Sequence, residues 1–485
     1  MDKKKVLLLT SGGIIITLVV IAVTFFAMRK SDNAYLKVLP KDATALARLD
    51  VKALLDKAEL TKEETAQLLQ RYSHSSDKNV NIGLDFSLPV YGFAAKDGYF
   101  GLLAAVADAN DLTAWCDSLA VKGHASEVTH QRGYSWVVME EKWLMAFDDE
   151  KSLAMGPVVG AAQDQLRTAI IQLMEQSNNE SVVQTELYKL LGTKDEPFVA
   201  TVKPELLPED VLGALRSIHL KSSAQGFYRL TLEPDDNELE VDFDIISDDK
   251  DVQEKLKKIN ALMRPLNGSL TDNAHADNAI WLAFNTQGSE LLKLLRSEAT
   301  IRTMLLTLNL LVDVDRMIQA IDGDVALEFT SAKATPKSDN INFNFDFKNA
   351  SLVAKVTNSD FLSGAASWGN SFIDVKALSP TEYVVNINPT PIHLGVKDKT
   401  LYVGSERGLV TEGNAYLRKQ RSNIKGTRFY ATLNLSSIPL EPISIFSNIY
   451  PDLNRLDVKM EEAGEFSFTL KASENTNIIR TLLNL

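Results

Sequence analysis

The chain has 485 residues, of which 45% are apolar, 8% aromatic and 24% charged, with 24 glycines and 15 prolines. That balance excludes a disordered or fibrous chain, and the length predicts roughly two to four folded domains. A single cysteine, Cys116, excludes an intrachain disulfide and a thiolate metal cluster.

The first predicted element is a membrane anchor in residues 1–30. Val6 to Met28 is uncharged throughout. At 1.5 Å per residue it extends about 34 Å, enough for a hydrocarbon core of roughly 30 Å. A cleaved signal peptide is the alternative. It has a shorter apolar region and a small-residue cleavage site, and neither fits Phe25-Phe26-Ala27-Met28-Arg29-Lys30. No cysteine follows that could carry a lipid. Lys3, Lys4 and Lys5 precede the span, and Arg29 and Lys30 follow it. This balance favours a cytoplasmic N-terminus and an exported body, periplasmic or extracytoplasmic. The expectation is a single-pass membrane protein held in the bilayer through Val6 to Met28. The chain's net charge is −13; the first 30 residues carry five Lys/Arg against one Asp, a net +4, so the body carries −17. An acidic body repels phosphates, which argues against nucleic acid as a partner.

The body reads as one pattern met twice. Asp42 to Asp50 matches Asp277 to Asn285. Each is a short apolar run closed by Asp or Asn, followed by a Leu-rich helix start that this side chain would cap. Leu102 to Val106 matches Leu352 to Val356, and Tyr134 to Val138 resembles Glu382 to Val385. Leu153-Ala154-Met155-Gly156 matches Leu401-Tyr402-Val403-Gly404. Phe198 to Val202 with Pro208 matches Phe429 to Leu433 with Pro439. Glu238 to Phe243 matches Glu465 to Leu470. Each copy ends in a helix, Val252 to Leu262 and Ile478 to Leu485. The expected units are residues 31–263 and 277–485, joined by a linker at 264–276. That stretch is rich in Pro, Gly, Asn and Asp and offers no apolar face.

Within the units, Leu239, Val241, Phe243 and Ile245 alternate with Glu238, Glu240, Asp242 and Asp244. Phe343, Phe345 and Phe347 alternate likewise, as do Phe466, Phe468 and Leu470. Period-two alternation means strands with one buried and one wet face, as in antiparallel sheets. Val90–Ala95 and Tyr99–Val106, joined by Lys96-Asp97-Gly98, predict a hairpin. Its counterpart would carry a longer polar loop, Ser331 to Asn340, free to contact a partner. Helical stripes are expected at Leu166, Ala169, Ile170 and Leu173, at Val252, Leu256, Ile259 and Leu262, and along Glu298 to Ile321 through Met304, Leu305, Leu308 and Leu311. The fold class is therefore α+β: an N-terminal transmembrane helix, then two tandem homologous units of antiparallel sheet with packed helices.

No catalytic, cofactor-binding or metal site is predicted. The histidines are His74, His124, His130, His219, His275 and His393. None has the spacing of a helical zinc site. Cys116 lacks a histidine partner and reads as a small core residue. Gly404-Ser405-Glu406-Arg407-Gly408 lacks the glycine spacing of a nucleophile elbow. Asp235-Asp236-Asn237 and Asp322-Gly323-Asp324 read as turns, and Asp248-Asp249-Lys250-Asp251 as a helix cap.

Two segments carry a resemblance. They are Val38-Leu39-Pro40-Lys41-Asp42-Ala43-Thr44-Ala45, followed by Asp50 to Ala58, and Asp322-Gly323-Asp324-Val325-Ala326-Leu327. Through them residues 35–485 resemble a family of uncharacterised bacterial cell-envelope proteins, often lipoproteins, catalogued as a domain of unknown function. The resemblance implies export and this architecture. It brings no catalytic residues. The expected function is that of a non-enzymatic module that binds or scaffolds another envelope protein or polymer. The alternative is an envelope hydrolase whose carboxylates meet only in the folded chain.

Overall fold

The computed structural model describes residues 33–61, 63–65, 67, 82–140, 142–158, 163–192, 196–206, 226–310, 312–336, 343–365, 368, 374–387, 390–411, 413–437 and 452–483. The predicted anchor, Val6 to Met28, lies outside the described residues. Among those described, no helix is long and apolar enough to cross a membrane.

The protein is mixed α+β, built on a large antiparallel sheet. Residues 45–247 contribute β1 (Ala45–Leu49), β2 (Leu84–Asp85), β3 (Val90–Ala94), β4 (Phe100–Val106), β5 (Thr129–Gln131), β6 (Tyr134–Met139), β7 (Trp143–Phe147), β8 (Lys151–Gly156), β9 (Phe198–Val202), β10 (Gly226–Asp235) and β11 (Glu238–Ser247). Residues 280–472 contribute β12 (Ile280–Gln287), β13 (Ile321–Pro336), β14 (Phe343–Val356), β15 (Asp374–Ser379), β16 (Glu382–Ile387), β17 (Thr390–Lys397), β18 (Thr400–Gly404), β19 (Phe429–Asn434), β20 (Leu453–Met460) and β21 (Glu465–Ala472).

Neighbouring strands run β5-β6-β7-β8-β4-β3-β1-β9-β10-β11 and then β21-β20-β19-β12-β13-β14-β18-β17-β16-β15. Only β2, a short addition beside β4, falls outside this line. The second series repeats the first in reverse. Among the described residues no pairing joins β5 to β15.

The two series meet where β11 pairs with β21. There Val241 opposes Phe468, the residue at the same place in the matching strand. Pairing of a strand with its own counterpart is the contact a two-fold axis makes. Two further bonds repeat about the same point. The Ile245 amide donates to the Gly464 carbonyl and the Ala472 amide to the Asn237 carbonyl, both at 2.8 Å. The final helices cross this seam. Lys250–Leu262 buries Val252 and Leu256 beside Ala463, and Ile478–Leu482 buries Ile478 and Ile479 beside Ala58 of the helix Val51–Ala58.

Helices cover both faces of the first half. Gln163–Glu175 buries Leu166, Ile170 and Met174 on one face. Ala109–Val121 buries Leu112, Trp115 and Cys116 on the other. The expected Asp cap is realised at Asp50, whose carboxylate accepts from the Ala53 amide at 2.9 Å. Asp249 likewise accepts from the amides of Asp251 and Val252.

Four local expectations are corrected. Asn285 does not cap a helix. β12 runs on to Gln287, and the buried Asn285 amide donates to Asp324 and to the Pro265 carbonyl. The stretch 264–276 has an apolar side after all: Leu266, Leu270 and Ala274 join Trp281 and Tyr430 in a core. The Ser331 to Asn340 loop is strand as far as Pro336, because β13 and β14 form a long hairpin, and residues 337–342 lie outside the described set. The Glu298 to Ile321 helix is two helices, Ala299–Asn309 and Val314–Gln319, broken where Asp313 caps the second. Only Leu305 of its proposed stripe is buried. Met304 and Leu308 are exposed, and Leu311 is outside the described residues.

Candidate functional site

Alternation on β11 and β21 sends Leu239, Ile245 and Leu470 toward the helices and leaves charged side chains on the opposite face. With β20 and residues 420–427 these charged groups border a cleft of about 690 Å³ across the seam. A neighbouring hollow of about 340 Å³ continues it past Arg229 and Thr231 of β10. Six carboxylates border the main cleft (Glu238, Glu240, Asp457, Glu461, Glu462 and Glu465), against the lysines Lys425, Lys459 and Lys471. The cleft is therefore net acidic.

Its charges are held in place. The Ser467 hydroxyl donates to Glu240 Oε1 at 2.6 Å, and Lys459 Nζ stands 3.2 Å from the same oxygen. Burial pushes Glu240 up, but the Ser467 hydroxyl and Lys459 outweigh it and keep the carboxyl below its ordinary range. Lys471 Nζ donates to Glu238 Oε1 at 2.7 Å and lies 3.6 Å from Asp457. The Tyr416 hydroxyl donates to Asp457, and the Arg455 guanidinium lies 3.9 Å over the Tyr416 ring.

At the other end of the seam like charges face each other, because Asp244 opposes Glu465. Burial raises both carboxyls, and Asp244 raises Glu465 further. Glu465→Gln should therefore stabilise the protein by roughly 0.2–0.5 kcal/mol at pH 7. The gain should vanish below the carboxylate range, where Glu465 is protonated anyway. Urea unfolding at pH 7 and pH 3.5 reads both, and a loss of stability at pH 7 would contradict the repulsion.

A second cluster gathers His275, Glu328 of β13, Ser351 of β14 and Glu406 of the turn after β18. The His275 amide donates to Glu328 Oε2 at 2.9 Å, and His275 Nδ1 bonds Glu328 Oε1. His275 Nε2 is 3.3 Å from Glu406 Oε2. Ser351 Oγ donates to Glu328 Oε1 at 2.7 Å. This is the serine, histidine and carboxylate chemistry of a hydrolase in the wrong order. A nucleophilic serine must bond an imidazole that is free to take its proton. Here the serine bonds the carboxylate, and carboxylates hold both ring nitrogens. The Glu328 bond, against some opposing burial, lifts His275 to about 9, so the ring is already protonated at neutral pH.

The other predicted residues stand apart. His124 bonds Glu140 and His130 bonds Ser135. His393 sits in β17 opposite Gly404, and His74 and His219 lie outside the described residues. Cys116 is fully buried, and burial pushes its thiol up to about 12, which removes it as a nucleophile. Arg407 forks onto Glu382, with two bonds of 2.8 Å, and holds that carboxyl at about 2. Among the described residues no group of three or more His, Cys, Asp or Glu is placed to hold a metal ion. Sequence reasoning saw the charged face of β11 only as a wet face. The signal it passed over was the complementary Ser467, Thr469 and Lys471 pattern on the matching strand.

Residues 35–460 match the family described as a domain of unknown function, DUF4836. The chain belongs to that family. The matched span takes in β11 and β20 and stops short of β21. No curated protein matches the chain. Among solved structures it is similar to crystal forms of TP0453. Form IV is 12% identical, covering 43% of this chain and 79% of that one at a TM-score of 0.26. Form III is 13% identical, covering 49% and 90% at a TM-score of 0.29. TM-scores this low carry no argument about the DUF4836 chain.

Proposed function

We propose that this DUF4836 protein is a non-enzymatic binding or scaffolding module of the cell envelope. Its body is exported and tethered to the bilayer through Val6 to Met28. The body is two homologous α+β units, one up to residue 263 and one from 277, related by a two-fold axis through Val241 and Phe468. The mirrored strand order and the pairing of β11 with its own counterpart support that reading. The observation that carries the function is the acidic cleft across the seam, which exists only because both units contribute strands to it. Sites between structural units are common places for ligands. Its excess of carboxylates suits a cationic segment of another envelope component.

The hydrolase reading rests on the same carboxylates. Two of them, Glu240 and Glu465, are shifted in opposite directions, as an acid and a base would be. Glu465 lies opposite Asp244, four residues along β11 from Glu240. At about 3.3 Å per residue that is roughly 13 Å. Glycosidase carboxyl pairs stand roughly 5–9.5 Å apart, so the binding reading is preferred.

The test places a photoreactive amino acid at Asn423, on the cleft rim, in the full chain and irradiates intact membranes. The expected result is an adduct to one envelope component. It should weaken at least tenfold in the Glu240→Gln, Glu461→Gln, Glu465→Gln triple variant and be absent with the probe at Val121, which is 89% exposed and borders neither hollow. Equal adducts at both probe positions would sink the binding reading. Release of soluble fragments from envelope polysaccharide by the purified chain would replace it with the hydrolase.

A further inference from the structure

On the face of the first half covered by the helix Ala109–Val121, the core is not filled. A cavity of about 190 Å³ lies between that helix and the sheet. Its floor follows one cross-strand row, in which Ala47 opposes Gly92, Gly92 opposes Leu102, Leu102 opposes Ala154 and Ala154 opposes Met145. Three of these five residues are Ala or Gly. The walls include Leu49, Phe86, Met139 and Phe198, and the surface is almost wholly apolar. Trp115 closes the cavity from the helix. It is 5% exposed, and its indole N–H is buried without a hydrogen-bond partner.

The second half carries larger side chains at the corresponding place. Its matching row is Leu282, Leu327, Leu352 and Val403. By strand register, which sets Val403 rather than the sequence-matched Tyr402 opposite Leu352, leucine, leucine and valine stand where the first half has Ala47, Gly92 and Ala154. An empty cavity destabilises in proportion to its volume. That cost disappears if something occupies the space.

Size and shape narrow the occupant. An apolar cavity of roughly 150 Å³ stays dry and takes one benzene, so water is not the occupant here. The floor row spans five neighbouring strands from β1 to β7, about 19 Å at roughly 4.8 Å per strand, with Met139 of β6 and Phe198 of β9 beyond its ends. A small volume drawn out over that length is a narrow slot, too thin for a bulky ring system and suited to an extended hydrocarbon.

We propose that this cavity binds a single medium-length acyl chain, laid along the row from Ala47 to Met145 beneath Trp115. The site lies apart from the seam cleft and does not depend on the function proposed for that cleft. The chain is a free fatty acid or the tail of a lipid, and the test separates the two.

The full chain is placed in phosphatidylcholine nanodiscs and irradiated with a diazirine analogue of decanoic acid. In a second arm the diazirine is carried on a tail of the phosphatidylcholine itself. Mass spectrometry locates the adducts. Labelling of peptides containing Trp115, Met139 or Met145, competed by excess decanoate, supports the site. Labelling by the free acid alone assigns it to a fatty acid, and labelling by the lipid assigns it to a lipid tail.

Gly92→Leu gives the first half the leucine its counterpart strand carries at Leu327. A Cβ at Gly92 meets nothing closer than 3.7 Å, so the strand accepts it. This variant should keep its unfolding temperature and lose labelling at least tenfold. Absence of cavity labelling in both arms overturns the proposal. So does labelling that survives Gly92→Leu unchanged.

Discussion

Replacing Asp324 by Ala should cost roughly 3–5 kcal/mol of stability, more than any exposed carboxylate on the chain. Asp324 is 1% exposed. Its Oδ1 accepts from the Asn267 amide at 3.0 Å and from Asn285 Nδ2 at 2.8 Å, and its Oδ2 accepts from the Gly268 amide at 2.9 Å. Alanine leaves all three donors without their acceptor. Gly268 has a φ of +74°, a backbone shape open to glycine that brings its amide round to the carboxylate. Asp324→Asn keeps the shape but turns one acceptor into a donor among donors. It should lose about half as much. Denaturant unfolding monitored by tryptophan fluorescence measures both, since Trp281 shares the core with Leu266 and Leu270. A loss below about 1 kcal/mol for Asp324→Ala would mean that the 264–276 segment does not depend on this carboxylate.

Asp324 also marks the limit of what the sequence reveals. Asp-Gly-Asp is a turn signal by composition, and nothing local says that one of its carboxylates is buried under a segment 57 residues away. Strands were legible because alternation is written in each strand itself: Leu239, Phe243 and Ile245 identify their own buried face. The matched segments were found by comparing the chain with itself, and the pairing of β11 with β21 sets one of those matches, Val241 and Phe468, face to face. The seam was not legible, since Glu240 meets Ser467 across 227 residues and no local pattern encodes which strand pairs with which. Helix ends fell between these cases. Asp313, a cap visible in the sequence, breaks the run from Glu298 to Ile321, but the apolar periodicity of Met304, Leu305 and Leu308 masked it.

The mirrored sheet explains why the cleft and the cavity differ in kind. Two-fold pairing brings the same strand from each half to the seam, so whatever faces outward there is doubled. β11 carries Glu238, Glu240, Asp242 and Asp244 outward, and a faithful copy would set a second row of acids beside them. β21 instead places Ser467, Thr469 and Lys471 there, keeping only Glu465. Ser467, Thr469 and Lys471 relieve repulsion along most of the seam. Away from the axis no such constraint acts. There the halves differ in volume, with Ala47, Gly92 and Ala154 on one side against Leu282, Leu327 and Val403 on the other.

The second large effect is a dependence on pH that follows from His275 and Glu328. Glu328 is 3% exposed. Burial pushes its carboxyl up, but the bonds from His275 and Ser351 outweigh burial and hold it below its ordinary range. The same pairing lifts His275 to about 9. A raised histidine contributes stability that is fully present below its unfolded value of about 6.5 and is lost as pH rises through its folded value. The protein should therefore lose roughly 1–2 kcal/mol between pH 6.5 and 9.5, after allowance for solvent on the Glu406 side of the ring. Glu328→Gln removes the partner and leaves a half-buried imidazole without its counter-charge. It should be less stable than wild type by about 2–3 kcal/mol at pH 6.5. That gap should narrow toward pH 9.5, where the wild-type ring is neutral as well. Below the carboxylate range it narrows again, as Glu328 takes up its proton. Unfolding curves from pH 4 to 9.5, read beside the NMR titration of the His275 ring, decide the matter. A wild-type ring that titrates below pH 7, or a gap that stays constant from pH 6.5 to 9.5, would show that the pair is not an ion pair in solution.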